Sequence, residues 1–344
     1  MTDHRQPTQH SADDSGELEI IDLATSADKH SDTIDAGSTE ALGLATKPLS
    51  PARLAWHRFR RHKLALVGVG ILLIMGIMCV FANLFTKYSP LATHTMGPGK
   101  IFIGPTHGHW FGVDELGRDM WSRVLYGGRI SLAVGVAVAL ISSAVGTTVG
   151  VIAAYYGRWL DNLLMRFTDL FLAVPLLVIA IIAGTLPSTQ AWAATVIGPP
   201  HSVRAVVTIL AAFFWMQIAR VVRGLSLSLK EKEFVEAAHS NGASDFRIMA
   251  RHIVPNCTGQ IIISTTIAVA EAILVEATLS FLGYGIDPVQ HATWGNLLTN
   301  SLNSMTFAPY LVWFPGIAIV LTVLAVNFLG DGLRDALDPK QMRV

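Results

Sequence analysis

The feature that most limits what this chain can become is a run from Leu64 to Phe85 without a single Asp, Glu, Lys or Arg. An apolar stretch near the roughly 20 residues that a helix needs to cross a ~30 Å hydrocarbon core reads as a membrane span. Six such segments follow one another, approximately Leu64–Phe85, Ile130–Tyr155, Leu163–Leu186, Val203–Val222, Gln260–Gly283 and Ala308–Leu329. Strands of a membrane barrel would show weak alternation over about 10 residues each, which these long runs do not. Composition agrees: 15% of the residues are charged, where a soluble domain carries about 25% to cover its surface. The expected fold is an all-α membrane protein with six transmembrane helices.

Orientation follows from the basic residues between the spans. Arg53, Arg58, Arg60, Arg61 and Lys63 precede the first span, and Arg220, Arg223, Lys230, Lys232, Arg247 and Arg251 lie around the fourth-to-fifth connection. The connections on the other side hold fewer. Both termini are therefore expected in the cytoplasm. The organisation expected is a tail at 1–50, a first helix with an extracytoplasmic segment at 51–129, and a five-helix core at 130–344 with a cytoplasmic loop at 223–259. A second outer connection falls at about 284–307. Residues 1–50 hold ten acidic and three basic side chains and almost no aromatics. That composition cannot offset the entropy of ordering, so a disordered acidic cytoplasmic tail is expected. The amino terminus lacks the basic-then-apolar pattern of a cleavable signal, so the first span should stay attached.

Several chemistries find no support in the sequence. There is no Gly-x-x-x-x-Gly-Lys-Ser/Thr phosphate loop, no Gly-x-Ser-x-Gly elbow and no His-Glu-x-x-His pair. Cys79 and Cys257 read as small packing residues rather than a disulfide or metal pair. His94, His107 and His109 place no third ligand, and no nucleic-acid signature appears. Neither catalytic nor metal-binding residues are expected.

The loop between the fourth and fifth spans is the most informative segment. Lys230 to Ser240 is charged and rich in Ala, a helical pattern; Gly242 suits the left-handed position that ends a helix. Ser244 can cap a second helix, with Asp245 favourable at its positive end, and Pro255 should halt it. Phe246, Ile248 and Met249 are expected on show there, with Arg247 and Arg251 beside them, as a knob that fits a groove on another protein.

Glu236-Ala237-Ala238, then Gly242, then Pro255 resembles the EAA loop of bacterial ATP-binding-cassette importer permeases at the expected spacing. His252, Ile253 and Val254 before the proline look like the His-Ile-Leu-Pro variant of the peptide subfamily. Segments 111–132, 277–285, 294–298 and 327–339 look like those of dipeptide, oligopeptide and nickel permeases, of the C-type partner. The resemblance covers about 51–344. It implies a type I importer fold in the bacterial cytoplasmic membrane. The implied assembly has a second homologous permease, two ATPase subunits that hold the ATP and Mg, and an extracytoplasmic substrate-binding protein. It further implies that Glu236, Ala237, Ala238, Gly242, Ser244, Asp245, Phe246, Arg247 and Pro255 serve coupling to the ATPases, and that this chain binds no cofactor and is not itself an enzyme. The cargo implied is di- or oligopeptides, with nickel complexes or oligosaccharides as alternatives. A self-contained secondary transporter is the other class; the lack of a detectable internal repeat counts against it.

Charges inside spans cost about 2.5–3.5 kcal/mol each at the centre and need a reason. Glu271 and Glu276, about 140° apart around one helix, cannot face one partner. One can line a pathway while the other bonds a neighbouring helix. Arg166 and Asp169 are expected to pair or to sit at the membrane interface. Ser142, Gly146, Gly150 and Ala154 form a small-residue stripe for helix packing. Pro175 and Pro315 are expected to kink spans three and six.

Overall fold

A computed structural model of the protein describes residues 51–93 and 103–337. The tail at 1–50, with its expected disorder, and His94 lie outside the described residues. Two compact units divide the chain at Leu54, and of the first only the opening of one helix is described. The elements are α1 (Pro51–Phe59), α2 (Lys63–Val80), α3 (Ala82–Phe85), α4 (Met120–Tyr156), α5 (Arg158–Leu172), α6 (Leu176–Thr189) and α7 (Ala191–Val196). Then come α8 (Val203–Lys230), α9 (Glu233–Ser240), α10 (Asp245–Ile248), α11 (Val254–Phe281), α12 (Trp294–Ser301) and α13 (Tyr310–Leu337). The described residues contain isolated β-bridges, such as Ile103 with Val113, but no strand.

Five helices are long and apolar enough to cross a membrane: α2, α4, α8, the stretch Asp245–Phe281 that ends in α11, and α13. The bent pair α5–α6 makes a sixth when counted as one span. The third span was expected as one helix from Leu163 to Leu186, but the chain turns by 90° between α5 and α6. Pro175 stands at the break, as the residue before α6. It has no N–H to give and its ring would meet the carbonyl four residues back, so the helix stops rather than bending gently. Pro315, by contrast, lies inside α13, which continues through it.

The helix ends show why the boundaries differ from the hydropathy reading. The fourth helix starts at Met120 rather than Ile130, because the Asp119 carboxylate accepts a hydrogen bond from the Ser122 amide at 2.8 Å and caps the polar turn. Met120, Val124 and Leu125 on that turn are buried by packing that sequence periodicity does not reveal. At its far end α8 runs on to Lys230 instead of stopping at Val222.

Three helices form the centre. α4 lies along both α8 and α11, and a core of Val134, Val138, Leu210, Ile218, Val222 and Ala272 fills the space between them. The small-residue stripe sets the spacing. A methyl group on Gly146 would stand 2.6 Å from the Trp215 carbonyl oxygen, and one on Gly150 would stand 2.5 Å from that of Ala219. Ser142, at the head of the stripe, donates to the Ala211 carbonyl at 3.4 Å. Lipid tails are as apolar as the helices, so such backbone-to-backbone contact replaces hydrophobic drive. At one end of this trio α12 and α13 add a second core around Trp294, which is fully buried and donates its indole N–H to the Val124 carbonyl at 2.9 Å. At the other end stand α9 and α10. Cys79 and Cys257 are both buried and unpaired.

Gly150→Val should force α4 and α8 apart and cost about 1–3 kcal/mol, the usual toll of overpacking. Thermal unfolding of the detergent-solubilised protein should show it as a lower midpoint, while the same change at Gly70, where a methyl group meets nothing within 4 Å, should shift it far less.

Candidate functional site

The segment that joins α8 to α11 folds as a small hairpin whose shape is set by its backbone. α9 ends in a turn where the Gly242 amide donates to the His239 carbonyl at 2.9 Å and the Ala243 amide donates to the Ala238 carbonyl at 3.1 Å. Those two bonds are the paired closure of a Schellman motif. They require a left-handed residue between them, and Gly242 has φ +78°. Nothing lies within 4 Å of where its side chain would be, so the glycine serves the dihedral and not a close contact. In this geometry Ala238 and Ala243 both rest against the core as the small apolar pair that accompanies such a turn. Glu236 and Ala237 point the other way and are exposed. Val235, one turn ahead of Ala238, is buried and fixes which face of α9 turns inward.

Beyond the turn, two expectations are corrected. Ser244 occupies the capping position of α10, but its side chain makes no capping bond there. Pro255 does not halt a helix: it sits in the first turn of α11, where its missing N–H costs nothing. The turn just before it, Met249–Ile253, is a π-helix, and the Val254 amide bonds back to the Met249 carbonyl. That wider turn absorbs the proline ring, so the chain passes from α10 into the membrane helix without a break.

The side chains of α10 divide sharply. Phe246 is 76% exposed and Arg247 is exposed beside it, while Ile248 is fully buried. The expectation that Ile248 belongs to the displayed surface fails, because the short helix must seat one residue in the core to hold its angle. Ile253 and Cys257 continue that seat along α11. The displayed surface is thus Phe246 and Arg247, on a hairpin that Val235, Ile248 and Ile253 anchor from below. Asp245 turns inward, where its carboxylate accepts a hydrogen bond of 2.8 Å from the Tyr155 hydroxyl at the end of α4.

The two intramembrane carboxylates of α11 separate as their angle requires. Glu276 is fully buried, accepting from Ser131 of α4 at 3.0 Å and from Ser280 at 2.8 Å. Ser131 in turn accepts the Trp294 amide at 3.3 Å, so Glu276 knits α4, α11 and the start of α12 together. Glu271 is exposed and has no side-chain partner among the described residues.

Asp169 does not pair with Arg166. It meets Arg220 of α8 at 2.5 Å, and Asp161 receives a two-pronged bond from Arg223 at 2.5 and 2.6 Å. Sequence spacing favours the neighbour three residues away, but α5 lies beside α8, which brings Arg220 and Arg223 to its two carboxylates. Arg220, Arg223 and Lys230 enter the sequence reading only as markers of orientation, and neither their partners nor Tyr155 are found by it. The arginine pair at the end of the fourth span, with two acids on the preceding segment, was the available signal. α2, α4, α11 and α13 also line a mainly apolar groove of ≈1370 Å³, which runs from Arg129 past Leu140 and Ile262 and ends at the displayed Phe246. Among the described residues no group of three or more His, Cys, Asp or Glu side chains is placed to hold a metal; His109 instead bonds Asp119 at 2.8 Å.

Comparison with known proteins adds to this geometry. Residues 146–343 match the profile of the binding-protein-dependent transport system inner membrane component, and residues 50–98 match the N-terminal transmembrane domain of oligopeptide transport permease C. The dipeptide transport system permease protein DppC of Alkalihalophilus pseudofirmus is 40% identical over 85% of this chain and 91% of its own. The oligopeptide permease OppC of Bacillus subtilis is 36% identical over 89% and 95%. The glutathione permease GsiD of Escherichia coli O6:K15:H31 is 42% identical over 83% and 89%. Among solved structures, the MetNI methionine ABC transporter in an inward-facing conformation matches with a TM-score of 0.51 at 17% identity. It covers 63% of this chain and 96% of that one, a likeness of fold.

Gly242→Ala forces a Cβ into the left-handed region at a cost of about 1–2 kcal/mol. It should raise amide hydrogen exchange across 233–253 in the isolated protein. Phe246→Ala, on an exposed side chain, should leave both that exchange and overall stability within about 0.5 kcal/mol of wild type.

Proposed function

The chain belongs to the family of inner membrane components of binding-protein-dependent transport systems, and on that footing we propose that it is the permease subunit of an ATP-driven importer of di- or oligopeptides. It is a multi-pass protein of the bacterial cytoplasmic membrane. In this reading it forms the pathway with a second, homologous permease, and an extracytoplasmic binding protein delivers the cargo. Two ATPase subunits bind the nucleotide and Mg, and this sequence, which carries no phosphate loop, hydrolyses none. The peptide assignment draws on the relatives, whose names give dipeptide, oligopeptide and glutathione transport.

The observation that carries the coupling role is the exposure of Phe246 on a hairpin whose Val235, Ile248 and Ile253 are buried beneath it. An aromatic side chain 76% exposed beside Arg247 costs the free subunit apolar hydration and benefits it only against a partner's pocket. Basic residues crowd the same end, and the charge bias of the loops supports a cytoplasmic position for that face. ATP-driven closure of the ATPases then displaces the hairpin, and its seat on Ile248 and Ile253 passes the displacement to α11. Glu271, exposed on that helix, faces the water-filled pathway, since a carboxylate turned to lipid would be costly.

Two experiments test the reading. From solubilised membranes, wild type should recover an ATPase and a second permease, whereas a variant scrambled over 236–251 should lose only the ATPase. Gly242→Pro should insert normally yet hydrolyse ATP without import. Normal peptide uptake by that variant would sink the coupling assignment, and recovery of neither partner by wild type would sink the assembly.

A further inference from the structure

One polar link stands apart from the apolar seat of the hairpin. Among the described residues, the bond from the Tyr155 hydroxyl to Asp245 is the only side-chain hydrogen bond that ties α9 or α10 to another membrane helix. Its two ends are well placed. Asp245 occupies the first position of α10, next to the exposed Phe246. Tyr155 is the penultimate residue of α4, the helix whose other faces pack on α8 and α11 and line the long groove.

The tyrosine is itself held from a third helix. Lys230, the last residue of α8, donates to the Tyr155 carbonyl at 2.5 Å, and its ammonium lies 5.6 Å from the centre of the Tyr155 ring. That carbonyl is one of those left without an intrahelical donor at a helix C-terminus, where a cation is favourable. Lys230 thus locks the end of α4 to the end of α8, and the hydroxyl of the locked residue grips the hairpin.

We infer that Tyr155 is a positioning residue for energy coupling: through Asp245 it makes α4 follow the hairpin, so that movement at Phe246 reaches α4 as well as α11. The inference rests on the coupling role proposed for the hairpin. Ile248 and Ile253 can transmit a push to α11 by packing alone, but packing resists separation weakly. A hydrogen bond to a carboxylate resists both approach and withdrawal, and it connects to a different helix. Tyr155 therefore serves to make α4 and α11 move together.

The test uses the whole importer in proteoliposomes and reads peptide imported per ATP hydrolysed. Tyr155→Phe keeps the ring beneath the Lys230 ammonium but removes the hydroxyl. It should recover the ATPase as wild type does and lower import per ATP by about five- to tenfold, the equivalent of one charge-assisted bond at the solvent edge. Asp245→Ala should do the same, and the double variant should be no worse than either single one. Asp245→Asn, which retains an acceptor oxygen, should stay within about twofold of wild type. Wild-type import per ATP in Tyr155→Phe, or losses that multiply in the double variant, would overturn the role. The chain scrambled over 236–251 separates the two failures. If it loses the ATPase while Tyr155→Phe imports normally, the hairpin couples and Tyr155 does not position it. If it keeps the ATPase and imports, the coupling role itself is gone, and this inference goes with it.

Discussion

Everything else in the molecule hangs on how closely α8 approaches α4. In lipid, a helix gains little by hiding apolar side chains against another apolar surface, so the pair is held where backbones can touch. Gly146 and Gly150 provide that place, with Trp215 and Ala219 carbonyl oxygens directly against them. Once the two axes are that near, the ends of the helices are fixed as well. Lys230 falls beside the Tyr155 carbonyl, and Arg220 and Arg223 fall beside the carboxylates of α5. A wider spacing would leave those cations reaching across a gap, and the hairpin would lose one of its supports.

The spans were legible in the sequence because each is a long run that only a membrane explains, and hydropathy is a property of the run itself. The glycine turn at Gly242 was legible for a similar reason: the left-handed conformation is local chemistry, and few residues accept it. What the sequence hid were matters of register and neighbourhood. Pro175 and Pro255 are the same residue with opposite consequences. One stands at a break, while the other opens α11 behind a π turn that makes room for it. Nothing local distinguishes them. Likewise Asp169 has a suitable partner three residues away and chooses Arg220 instead. The choice is made by the packing of α5 against α8, a neighbourhood that hydropathy does not show. Ile248 was mistaken for surface because a short amphipathic helix does not announce which face is seated.

The polar groups inside the apolar body share one logic. Glu276, Ser131, Ser280 and the Trp294 amide satisfy one another across three helices, so the burial of a carboxyl group is matched by donors instead of water. Such a knot costs little when complete and much when broken, which makes it a fixed point of the structure. On α4 it holds Ser131, in the first third of the helix, while Gly146 and Gly150 lie in the last third and Tyr155 at its end. The helix is therefore held at several points along its length, and its freedom is that of a rod pinned at each of them.

The joint at Gly242 separates shape from chemistry. Its angle comes from two main-chain bonds and one dihedral, with open space around the α-carbon. The residues that face outward, Glu236, Ala237, Phe246 and Arg247, carry none of the burden of maintaining it. The chemistry of that outward face and the angle at which it is presented are therefore set by separate groups: side chains supply the first, and the main chain at one glycine supplies the second. A change of side chain there alters what is displayed and leaves its direction alone.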